Sequence, residues 1–114
     1  HGIETAVEKL IALEPHKVDI LAFSIGGTIA WKAGLNGLKI NNLFAISSTR
    51  LRYETTQPNC NIELIYGEKD KFKPTGTWFK KMGISPEFIR NAKHEMYREK
   101  HFAFEFCETF NPIN

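Results

Sequence analysis

The sequence predicts an α/β fold: a mostly parallel sheet of about four strands with flanking helices. Short apolar runs of strand length recur at Val18 to Phe23, Leu43 to Ser47, Ile62 to Tyr66 and Glu87 to Arg90. Between them lie segments with apolar residues at helical spacing, and strands alternating with helices pack as parallel, right-handed crossovers. Size agrees: 114 residues, 42% of them hydrophobic, suit one core and a single domain over residues 1–114.

Taken in order, Ile3, Val7, Leu10 and Ile11 follow a helical repeat that Pro15 stops before the Val18 to Phe23 strand. Ile25 to Leu35 reads as a second helix, with Gly34 and Gly37 as its exit residues. The Leu43 to Ser47 and Ile62 to Tyr66 strands follow, then a short helix from Pro74 to Met82 and the last strand, Glu87 to Arg90. The tail from Met96 to Phe110 reads as a helix, and its stripe of Phe102, Phe106 and Phe110 is expected to pack on the sheet rather than to bind lipid.

The most informative residue is Ser24, a small hydroxyl at the joint between the first strand and the second helix. Ala22, Gly26 and Gly27 around it are small, as expected of a turn too tight for larger side chains. The helix that follows presents the Ile25 N–H at its N-terminus, where an unpaired donor and the positive end of the dipole can hold an oxyanion. A serine hydroxyl needs a base to become a nucleophile, and an imidazole backed by a carboxylate supplies one.

The pattern Ala22-x-Ser24-x-Gly26 resembles the nucleophile elbow of the α/β-hydrolase family, where G-x-S-x-G is commoner. Glycine, two residues and Asp70 after the Ile62 to Tyr66 run resemble the family's triad acid, 46 residues after Ser24. His94, 24 residues further on, lies where the family keeps its histidine, after the last strand. The resemblance thus implies a Ser24, Asp70 and His94 triad at the C-terminal rim of the sheet, with the Ile25 N–H as oxyanion donor. It implies a serine hydrolase that cleaves a small-molecule carboxylic ester or thioester through an acyl-Ser24 intermediate, with no cofactor.

The resemblance covers only the second half of the family's fold, from the strand that carries the nucleophile to the last strand. The family's second oxyanion donor comes from the first half, and losing one such donor costs around 10² to 10³ in rate. A non-catalytic subunit or interaction module is therefore the alternative function. In the family another strand lies beside the nucleophile strand, so Val18 to Phe23 would be an apolar edge open to pairing. Two expectations follow: a chain that is the C-terminal piece of a longer polypeptide, to which an opening on His1-Gly2 rather than methionine is suited, or a homodimer joined along that edge. Few residues separate Ser47 from Asn61, where lidded members insert a cap, so an open site is implied. Arg50, Arg52 and Tyr53 follow the second strand near the mouth; they read as loop residues making local hydrogen bonds, with contact to an acidic or carbonyl group of the substrate as the alternative.

Composition argues against other classes. The formal net charge of +2 is too small, and Lys and Arg too scattered, for a nucleic-acid or anionic-membrane partner. No apolar run reaches the ~18 residues of a membrane span, and the N-terminus lacks the basic and apolar regions of a signal peptide. Cys60 and Cys107 form no metal-site spacing. They read as thiols of a cytoplasmic protein, with a disulfide as the alternative in an exported one. His94-Glu95 begins like H-E-x-x-H, but Arg98 stands where the second histidine should, so no metal site is expected. Ser24-x-Gly26-Gly27 lacks the glycines of a dinucleotide loop, and no G-K-[ST] follows.

Overall fold

A computed structural model describes residues 2–13 and 17–98. The elements are α1 (Gly2–Leu13), β1 (Val18–Phe23), α2 (Ile25–Leu35), β2 (Ile40–Ile46), β3 (Asn61–Gly67), α3 (Gly76–Met82) and β4 (Glu87–Ile89). Short 3₁₀ turns occupy Thr49–Tyr53 and His94–Arg98. The four strands form one sheet in the order β1-β2-β3-β4, every pair parallel. Ala22 lies opposite Ala45, Ala45 opposite Leu64, and Ile65 opposite Glu87. Successive strands neighbour one another, so each strand-to-helix loop leaves the same end of the sheet and the three candidate residues share one rim.

Alternation along the strands divides the core. Leu43 and Ala45 of β2, with Leu64 and Tyr66 of β3, join Val7 of α1, Trp31 of α2 and Phe79 of α3 in one cluster. All three helices therefore cover the same face. Ile46, Ile65 and Met96 form a smaller cluster with Leu21, Phe23, Ile89 and Ala92 packed against it on the other. Met96, 2% exposed, fastens the 3₁₀ turn that begins at His94 to that second face.

Several boundaries differ from the sequence expectation for identifiable reasons. β2 starts at Ile40 rather than Leu43, because the polar Asn42 inside it is absorbed by hydrogen bonds. Asp19 Oδ1 accepts from Asn42 Nδ2 at 2.9 Å, and Asn61 Nδ2 donates to Asn42 Oδ1 at 3.0 Å, a polar ladder across three strands. The same ladder brings Asn61 into β3. β2 ends before Ser47, whose φ of 57° turns the chain out of the sheet. α3 begins at Gly76 rather than Pro74, since Thr75 caps it by accepting the Trp78 N–H on its hydroxyl. β4 stops at Ile89, one residue short of Arg90, and the Asn91 φ of 61° follows.

Gly37, with a φ of 115°, does lie in the exit from α2, but Gly34 has a different role. Gly34 is inside the helix, where a Cβ would come within 2.7 Å of Pro58 Cβ and 3.0 Å of Ile40 Cδ1. It lets the loop before β3 pack against the helix. Where the expected helix from Met96 falls within the described residues, the chain forms the 3₁₀ turn His94–Arg98 instead. The rest of that helix, with Phe102, Phe106, Phe110 and Cys107, lies outside the described residues.

Candidate active site

Phe23 ends β1 and Ile25 begins α2, so Ser24 alone makes the turn between them. It does so at φ 51° and ψ −124°, a conformation that costs an L-residue about 1–3 kcal/mol. Both of its backbone groups are tied down. The Ser24 N–H donates to the Ile46 carbonyl at 2.7 Å, and its carbonyl accepts from the Gly27 N–H at 3.1 Å and from Ser48 Oγ at 2.8 Å. The strained turn is thus over-determined by the end of β2, and the hydroxyl is pushed out of the sheet plane above the strand ends.

The steric demand of this turn falls on Gly27 rather than Gly26. A Cβ on Gly27 would run into Ser48 Oγ and lie 2.8 Å from Ser48 Cβ and 2.9 Å from Ala45 Cβ. At Gly26 the nearest atom would be Ala22 Cβ at 3.7 Å, an ordinary contact that an alanine can make. Gly27→Ala should therefore lower stability by about 1–3 kcal/mol, whereas Gly26→Ala, in the first turn of α2, should be neutral or stabilising by up to about 1 kcal/mol. Urea unfolding of the two variants checks this, and equal midpoints would disprove the packing argument.

The two other candidate residues meet Ser24. Its Oγ is 3.2 Å from His94 Nε2, and His94 Nδ1 is 2.9 Å from Asp70 Oδ2. The Asp70 side chain is 1% exposed and that of His94 31%, so the imidazole bridges a buried carboxylate and the hydroxyl of the half-buried Ser24. Asp70 Oδ1 is occupied as well, accepting the Phe72 N–H at 3.0 Å. A carboxylate only accepts, which makes His94 Nδ1 the donor and turns the Nε2 lone pair toward Ser24.

Three features position these groups. The loop after β3 is closed by Asp70 N–H donating to the Gly67 carbonyl at 3.0 Å, and Lys73 Nζ donates to the carbonyls of Glu68 and Asp70 at 3.0 and 3.2 Å. The loop that brings His94 crosses directly over Gly67. There the Glu68 N–H donates to the Ile89 carbonyl at 2.9 Å and the Lys69 N–H to that of Ala92 at 2.8 Å. Tyr66, fully buried, donates its hydroxyl to the Ser48 carbonyl at 3.0 Å. Burial, with the negative charge of Asp70 adding to it, raises the Tyr66 pKa well above that of an ordinary phenol, so this donor stays neutral.

Ile25, the candidate oxyanion donor, is the first residue of α2, and its N–H has no carbonyl four residues back within the helix. Its side chain is 45% exposed beside Ser24. Sequence reasoning missed Ser48, Tyr66 and Phe72, which hold the site without entering the pattern, and took Gly67 only as the glycine that opens the turn to Asp70. A serine pair closing an apolar run and a glycine at a strand end were the available signals. Arg52 does make the expected local hydrogen bonds, to the Thr49 carbonyl at 2.8 Å and to Tyr53 Oη at 2.9 Å. Among the described residues no three His, Cys, Asp or Glu side chains are grouped to hold a metal ion, and no helix is long and apolar enough to cross a membrane. Cys60 is a free, half-buried thiol whose pKa burial raises.

Comparison with solved structures gives the fold its class. The chain superposes on a protein of unknown function from Agrobacterium tumefaciens, provisionally assigned as an alpha/beta hydrolase, with a TM-score of 0.69 at 16% identity, covering 94% of this chain and 56% of that one. It superposes on an α/β serine hydrolase without lid from Xanthomonas campestris with a TM-score of 0.63 at 18% identity, covering 96% of this chain and 56% of the other. No family model and no curated protein matches the sequence. The chain has an α/β-hydrolase fold and spans little more than half the length of these two neighbours.

Proposed function

We propose that the protein is a serine hydrolase that cleaves a carboxylic ester or thioester, with Ser24 as nucleophile, His94 as base and Asp70 as the acid behind it. The observation that carries this reading is the unbroken line from Ser24 Oγ through His94 to Asp70, at 3.2 and 2.9 Å. Ser24 Oγ attacks the acyl carbon as its proton passes to His94 Nε2, and the Ile25 N–H faces the developing oxyanion. The alcohol or thiol leaves with that proton. Water, deprotonated in turn by His94, releases the acid from acyl-Ser24. Asp70 stabilises the imidazolium formed in each half.

A fluorophosphonate probe should label Ser24 in the folded protein. Labelling should vanish in Ser24→Ala and fall steeply in His94→Ala, as read by intact-mass spectrometry. The alternative reading is a non-catalytic module of the same fold. Folded protein that resists the probe would favour that reading.

A further inference from the structure

Beside the acid end of the triad, Arg52 is held between two exposed aromatic rings. Its Cζ lies 4.3 Å from the Tyr53 ring centroid and 5.7 Å from that of Phe72. Tyr53 and Phe72 are 69% and 62% exposed, more than an aromatic pair needs for packing. Phe72 belongs to the loop whose backbone N–H donates to Asp70, so this cluster and the triad share one support. Hydrogen bonds to the Thr49 carbonyl and to Tyr53 Oη orient the guanidinium, and among the described residues no carboxylate pairs with it.

We propose that Arg52 is a specificity residue that binds a carboxylate carried by the substrate, so that the ester cleaved at Ser24 is an anionic one such as a dicarboxylic acid half-ester. The proposal rests on the hydrolase reading for its substrate, although the carboxylate site itself does not. An arginine fork presents up to five N–H donors, two of which are used here, and a carboxylate takes two more in a bidentate pair. Holding the fork in advance by hydrogen bonds and stacking removes much of the entropy cost of recognition. The rings of Tyr53 and Phe72 offer apolar walls for the methylene stem between ester and acid. Arg50, Lys69 and Lys71 are exposed on the same two loops and add a positive field that draws an anion to this rim.

Two measurements test this. The first takes 4-nitrophenyl half-esters of succinate, glutarate and adipate against neutral 4-nitrophenyl esters of matched length. Relative to wild type, Arg52→Gln should lower the ratio of kcat/KM for the best half-ester over its neutral counterpart by about tenfold or more, the worth of one charge-assisted hydrogen bond. Arg52→Lys should restore only part of that ratio, because it keeps the charge and loses the fork. A ratio unchanged in both variants overturns the proposal.

The second measurement needs no turnover. Titrated into Ser24→Ala protein and followed by NMR, monomethyl glutarate should bind at least about tenfold more tightly than dimethyl glutarate, and Arg52→Gln in that background should abolish the difference. Equal binding of the two esters overturns the proposal whatever the probe does at Ser24. Discrimination without any labelling of Ser24 would retire the hydrolase reading and keep Arg52 as an anion-binding residue.

Discussion

Asp70→Asn should lower the turnover of an activated ester by about 10⁴ while leaving the fold intact, the loss known for the corresponding change in a serine protease. The carboxylate now serves two donors at once, the Phe72 N–H on Oδ1 and His94 Nδ1 on Oδ2. An asparagine has a single carbonyl oxygen. If that oxygen keeps the Phe72 N–H, the amide NH₂ faces His94, Nδ1 must accept, and the proton moves to Nε2, where it points at Ser24 instead of receiving from it. If the amide flips, its NH₂ meets the Phe72 N–H and the loop after β3 loses a bond. Either way the base is lost or its support is weakened. Steady-state kcat/KM checks this, and a loss below tenfold would show that Asp70 does not orient the imidazole.

The second large effect is expected at Gly67, which touches no reacting atom. A Cβ there would run into the Ala92 carbonyl oxygen and lie 2.7 Å from both the Ala92 carbonyl carbon and the Lys93 carbonyl oxygen. These are backbone atoms of the segment that delivers His94, so no rotamer change relieves the clash. Gly67→Ala should displace that segment, cost about 1–3 kcal/mol in stability, and move His94 by enough to slow reaction about 10²-fold or more. Labelling rate by the fluorophosphonate and urea unfolding read the two effects separately. Full reactivity in a variant that still folds would refute the view that the His94 loop depends on its close passage over β3.

Much of the architecture was legible from local pattern. The runs around Leu21, Phe44 and Leu64 are short and apolar, and the helical segments between them keep their period, so strand and helix types follow from side-chain burial alone. The errors fall where a local rule was overridden by a neighbour. Asn42 breaks the apolar run of β2 yet belongs to it, because Asp19 and Asn61 on the flanking strands satisfy its side chain. Gly34 looks like a helix exit and is a contact with Pro58. Neither partner lies close by in sequence.

The candidate site divides in the same way. Resemblance to the α/β-hydrolase pattern, read from residue type, chain order and position at strand ends, nominated Ser24, Asp70 and His94. By itself the sequence determined the α/β class and the order of the strands and named these three side chains as candidates, because burial period and functional-group chemistry are local properties. Only the tertiary structure decided that Ser24 Oγ and His94 Nε2 approach to 3.2 Å, that Ser48, Gly67 and the Phe72 N–H support them, and that Arg52 stands between two rings. Those distances depend on strands and loops remote in the chain packing without overlap, and spacing along a sequence carries no information about such contacts.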